Sequence, residues 1–115
     1  ISLTQGPVPT GQSAACWVVL TENGRFIYTT NTASNTLSSY DVHPYSGNLN
    51  ILQSIAATSG MGPIDAALTD NSKYLYVLNG AGHSISAYSV ASNGGVGILQ
   101  TVTGLPIGAN GLAAN

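Results

Sequence analysis

The sequence predicts an all-β chain of about two four-stranded antiparallel units, and three observations predict it. The chain repeats itself 48 residues on: residues 17–42 laid on residues 65–90 without a gap give 9 identities in 26 positions, among them Asn23/Asn71, Tyr28/Tyr76, Asn31/Asn79 and Tyr40/Tyr88. Pairs such as Arg25/Lys73, Phe26/Tyr74 and Ile27/Leu75 keep their chemistry. Each unit holds short aromatic and β-branched runs separated by turn residues, the pattern of a β-meander. No apolar stripe of helical period survives three turns. A period of 40–50 residues with four short strands marks a β-propeller blade.

The elements follow in order. Residues 14–20 (AACWVVL) read as a first strand, closed by a tight turn at Thr21-Glu22-Asn23-Gly24, where Asn and Gly tolerate positive φ. Residues 25–31 (RFIYTTN) and 36–42 (TLSSYDV) are the second and third strands, joined by a polar loop at 32–35. Pro44 and Gly47 punctuate the next turn, and residues 49–57 form the fourth strand. The second unit repeats the order with strands at 64–69, 73–79, 84–90 and 96–103. Residues 1–13 then fall where the outer strand of a preceding blade and its connection belong. The blades occupy 14–57 and 58–103, and 104–115 make a connection and the start of a next blade. Large recurring side chains normally fill the space between stacked sheets, so Cys16, Trp17, Tyr28, Tyr40, Tyr76 and Tyr88 are expected to be buried.

A chain of 115 residues holds about 2.4 such periods, while a closed propeller takes 4–8 blades. The ring is therefore incomplete. Its expected partners are the remaining blades of a longer parent or other copies of itself. Two open apolar faces with unpaired strand edges predict that the isolated chain associates.

Charged residues make up 5% of the chain against about 25% in ordinary domains, yet 43% of residues are apolar, so the chain is not disordered in type. A net charge of −2 gives no electrostatic reason to bind nucleic acid or an anionic membrane. No apolar run reaches the length of a membrane helix. One cysteine allows no internal disulfide, and no Cys/His spacing fits a metal. No metal or cofactor is expected.

Phe26-Ile27-Tyr28-Thr29-Thr30-Asn31 and Tyr74-Leu75-Tyr76-Val77-Leu78-Asn79 match the Tyr-Val-x-Asn strand of a known family. Through these strands, and essentially along its whole length, the chain resembles the seven-bladed lactonase-type propellers, the relatives of 6-phosphogluconolactonase. The stretch from Leu105-Pro106 to Asn110-Gly111-Leu112-Ala113-Ala114 looks like the C-terminal end of secreted bacterial members. The resemblance implies a secreted or periplasmic protein and a parent that hydrolyses a sugar lactone or binds a carbohydrate. It further implies a pocket of His, Glu and Arg at the channel mouth. Little of that pocket carries over, because Glu22 and Arg25 flank a turn on the opposite end. The fragment itself is expected to be inactive. The competing class is a non-catalytic extracellular assembly module.

Loops between second and third strands share one end of a meander with the blade-to-blade connections, and binding sites favour such loops. His83, in Gly80-Ala81-Gly82-His83, is the candidate general base there; its blander reading is a polar loop residue. Asp65 is the candidate carboxylate at the channel mouth; alternatively it accepts backbone N–H bonds at a strand start. Asn31, Asn35, Asn79 and His83 are the candidate ligand-binding residues. Recurrence of Asn31 and Asn79 at one repeat position also suits a structural task in every blade.

Overall fold

The computed structural model describes residues 3–115. Eight strands follow one another: β1 (Ala15–Leu20), β2 (Phe26–Asn31), β3 (Thr36–Val42), β4 (Leu49–Thr58), β5 (Pro63–Leu68), β6 (Tyr74–Asn79), β7 (Ser84–Val90) and β8 (Val96–Thr103). They make two antiparallel meanders, β1-β2-β3-β4 and β5-β6-β7-β8. No helix occurs among the described residues.

The repeat persists in the hydrogen bonds. In the β1–β2 turn Thr21 Oγ1 donates to Asn23 Oδ1 (2.7 Å), which also accepts from Arg25 N (3.0 Å), while Phe26 N donates to Thr21 Oγ1 (3.0 Å). Thr69, Asn71, Lys73 and Tyr74 repeat all three bonds at 2.8, 3.0 and 3.2 Å. Gly24 takes a left-handed φ of 69°, and Ser72 holds the same place at 55°. A short polar side chain in each turn therefore substitutes for ladder bonds and fixes the strand register.

The sheets stack with β1 against β5 and β4 near β8. Alternation along each strand decides what enters the joint. Tyr28 and Leu37 from the first sheet meet Ala66, Leu75, Val77 and Tyr88 from the second in one buried cluster. Two tyrosines lock it in opposite directions. Tyr28 donates forward to the Gly94 carbonyl in the β7–β8 turn (2.8 Å), and Tyr88 donates back to the Thr58 carbonyl at the end of β4 (2.7 Å). Desolvation pushes the Tyr28 hydroxyl up to about 12 and raises those of Tyr88 and Tyr40 too.

Burial of Tyr28, Tyr40 and Tyr88 is as expected, but three other sites differ. Cys16 is exposed, and Trp17 keeps 47% of its surface. Nothing stacks a whole sheet on the outer side of the first blade, so both line an open cleft. Tyr76 is only half-buried, because it stands where Tyr28 stands but points toward no third sheet. Residues 3–13, expected to form an outer strand, form none; Ile1 and Ser2 lie outside the described residues. A strand needs a partner edge, and here the segment straps the first sheet instead. Gln5 exchanges two bonds with the Leu49 backbone (3.0 and 2.6 Å), Thr10 O accepts from Ser54 Oγ (2.6 Å), and Tyr40 donates to Val8 O (2.9 Å). Residues 104–115 likewise form no strand.

Candidate functional site

The β2–β3 and β6–β7 loops and the blade connections gather at one end of the sheets. Ser59 N donates to Asn35 O (2.9 Å), and Leu105 N donates to His83 O (3.0 Å), so each loop holds the start of the following connection. Thr32 Oγ1 donates to Pro63 O (2.8 Å), and Asn35 Oδ1 accepts from Gly62 N (2.8 Å). Both bonds cross from the first blade to the entrance of the second.

His83 occupies the repeat position of Asn35, and both are left-handed, with φ of 48° and 57°. Asn and His are among the residues that enter this region most readily, which is the local reason for them here. The His83 side chain is half-buried, and its Nδ1 is buried without a hydrogen-bond partner. Asp65 is 6% exposed and lies at an irregular step of the β5–β6 ladder, where its Oδ1 accepts from Ala66 N (2.7 Å). That is the strand-start bond weighed above. Asn31 and Asn79 are fully buried. Each amide donates to two hydroxyls of its own blade: Thr36 and Ser38 for Asn31, Ser84 and Ser86 for Asn79. Asn35 alone of the three asparagines reaches across the joint.

The cationic side chains stand at the other end. Arg25 pairs with Asp41 (3.2 Å) beside the β1–β2 turn, and Lys73 occupies the equivalent place after the β5–β6 turn. The loop end thus combines one imidazole, one carboxylate and amides with no cation among the described residues. Nor do three metal-ligating side chains come together among them.

One concavity escaped sequence reasoning. A cleft of about 380 Å³ opens on the outer side of the first sheet, lined by Val8, Pro9, Trp17, Val18, Ile27 and Tyr40 among others. Its apolar lining is the side of a blade that a neighbouring sheet covers, as β5 and β6 show in the second blade. The signal was present in the alternation of Ile27 and Thr29 with Tyr28, once the direction of Tyr28 is known.

Two meanders stacked strand over strand, each with its first strand against the first strand of the other, define consecutive blades of a β-propeller. The chain belongs to the lactonase family of 7-bladed β-propellers, whose sequence profile matches residues 1–109. A search of curated proteins gave no match. Among solved structures, the chain is similar to the Pseudomonas aeruginosa periplasmic gluconolactonase, with 25% identity and a TM-score of 0.71 over 88% of this chain and 30% of that one. A Lactobacillus plantarum protein matches at 27% identity and a TM-score of 0.74, over 86% and 30%. A Bacteroides fragilis protein with a provisional 6-phosphogluconolactonase name shares the fold at 18% identity and a TM-score of 0.72, over 77% and 25%. The chain therefore spans between a quarter and a third of the length of these structures.

Proposed function

We propose that these two blades serve a longer seven-bladed parent that opens a sugar lactone or binds a related carbohydrate, exported to the periplasm or beyond. The family profile along residues 1–109 carries the reading, and the similarity to a periplasmic gluconolactonase supports the compartment and the substrate class. The loop end of the blades is the contributing surface, with His83 and Asp65 its candidate acid–base groups and Asn35 its exposed-edge amide. Lactone opening adds water to a carbonyl and develops an oxyanion, so it needs a base together with a cation or donors at that oxygen. Arg25 and Lys73 lie at the opposite end, so the parent's other blades supply that stabilisation, and the 115-residue chain alone is inactive.

The test compares gluconolactone hydrolysis by this chain with hydrolysis by a complete ring containing it. Spontaneous rates for the chain and turnover by the ring support the proposal. Turnover by the chain that His83→Ala abolishes overturns the assignment of catalysis to other blades. A ring that binds the sugar without opening it favours the second reading, a non-catalytic extracellular module, with which the low charge of the chain is also consistent.

A further inference from the structure

We propose that the cleft between the two blades, at the end away from His83, binds a small organic monocarboxylate. The inference stands apart from lactone chemistry, which belongs to the opposite end. Both walls of the cleft are blades of this chain, so it is part of the internal joint and of neither outward face.

Three turns build the walls. Asn23 of the β1–β2 turn, Asn71, Ser72 and Lys73 of the β5–β6 turn, and Ser92 before the β7–β8 turn enclose about 230 Å³, with Phe26 and Val90 on the apolar side. Ser72 Oγ ties two of these turns together across the joint, accepting from Glu22 N at 2.8 Å.

The polar side chains here present donors. Each asparagine oxygen is consumed by its own turn: Asn23 Oδ1 accepts from Thr21 Oγ1 and Arg25 N, and Asn71 Oδ1 from Thr69 Oγ1 and Lys73 N. The backbone N–H groups fix which amide atom is the oxygen. Both Nδ2 groups are left as the free ends, with no hydrogen bond among the described residues. Ser72 Oγ, already an acceptor, keeps its proton to give.

Charge follows the same asymmetry. Arg25 is neutralised by Asp41 at 3.2 Å. Lys73 holds the place of Arg25, but Ser89 holds the place of Asp41, opposite Tyr74 as Asp41 is opposite Phe26. Lys73 therefore has no ion pair among the described residues, and no carboxylate lines the cleft.

Donor amides and hydroxyls around one unpaired cation select an acceptor-rich group of single negative charge. A dianion fits less well. Glu22 and Asp70, both exposed, stand beside the two asparagines, and one ammonium group cannot offset a second negative charge there. Phe26 and Val90 suit a hydrocarbon body. The volume is below the roughly 300–1,000 Å³ of sites for drug-sized ligands, so the acid has only a few carbons. An exposed ion pair contributes modestly, and the dissociation constant is expected on the order of millimolar.

Butyrate is the probe, titrated at low salt into the complete ring that carries these blades and followed by the backbone amide NMR shifts of residues 71–73 and 91–92. A saturable shift is expected. Lys73→Gln weakens butyrate binding by about two- to fivefold, and butyramide, the neutral isostere, binds the unaltered ring more weakly by at least that factor. Ser89→Asp gives Lys73 the partner that Arg25 already has, and weakens binding likewise without changing a residue that lines the cleft. Ser89→Asn leaves it as it was. Unshifted amides away from the cleft show that each variant remains folded. Absence of a saturable shift overturns the inference. So does butyramide or inorganic phosphate binding as tightly as butyrate, or an affinity indifferent to Lys73→Gln and Ser89→Asp.

Discussion

Asn31 and Asn79, 48 residues apart, make the same pair of hydrogen bonds to the same accuracy. Each Nδ2 donates at 3.1 Å to the hydroxyl five residues on and at 2.9 Å to the hydroxyl seven residues on. The amide ties the end of the second strand of its blade to the third. A Cβ on Gly60 would fall 2.7 Å from the Asn79 amide, so the connection passes directly over it and shuts out water.

Removing that amide strands two hydroxyls in a dry interior. Asn79→Ala is expected to destabilise the chain by about 1–3 kcal/mol, read as a lower urea midpoint with the slope preserved. Asn79→Asp should cost more, because it deletes both donors and buries an anion.

Tyr28→Phe leaves the Gly94 carbonyl without its donor and should cost about 0.5–1.5 kcal/mol. The same hydroxyl sets an alkaline limit. Its acidity shifts from the ordinary 10.0 to about 12 on burial, so the folded state holds its proton more firmly than the unfolded state. The contribution is full below pH 10 and is lost as pH rises through about 12. Stability should fall in that window by on the order of 2–3 kcal/mol from this group, and Tyr28→Phe should flatten the fall in an alkaline unfolding titration.

Ala14 spends free energy on a left-handed backbone, φ 56°, that Gly62 adopts freely at the equivalent position. Ala14→Gly is expected to stabilise the fold by up to about 1 kcal/mol. Gly62→Ala should do the reverse and more, since its Cβ would lie 2.9 Å from that of Ala81. Thermal melts of the two variants should move in opposite directions.

Gly94→Ala and Gly47→Ala separate strain from collision. Both pay for positive φ, but only Gly94→Ala drives a methyl into the Phe26 ring. Gly94→Ala should cost about 1–3 kcal/mol more than Gly47→Ala by urea titration of the monomer.

The blade and its strands were legible because the chain states each of them twice: three of the eight strands have the expected bounds, and the others differ by one residue at one end or, for β5, at both. Burial was less so. Trp17 sits in a strand like any other, but whether it is covered depends on a sheet outside its own unit, which a repeat within the chain cannot reveal. The direction of each tyrosine decided the matter, and Tyr76 was misjudged because its counterpart Tyr28 finds a partner in the next blade. His83 stands out in the sequence for its imidazole, whereas the left-handed backbone that it shares with Asn35 at the equivalent position shows only in the structure. Residues 3–10 carried a strand-like composition without an edge to pair with, and pairing, not composition, makes a strand.

Because Tyr28 hands its bond to the following unit and Tyr88 returns one to the preceding unit, the joint belongs to neither sheet. Its instructions lie in every copy of the 48-residue period. The match between periods is partial: Thr32 and Ser72 also bond across the joint, but Gly80 and Gly24 stand at their counterpart positions and offer no hydroxyl, so this seam carries bonds that a shifted period could not make.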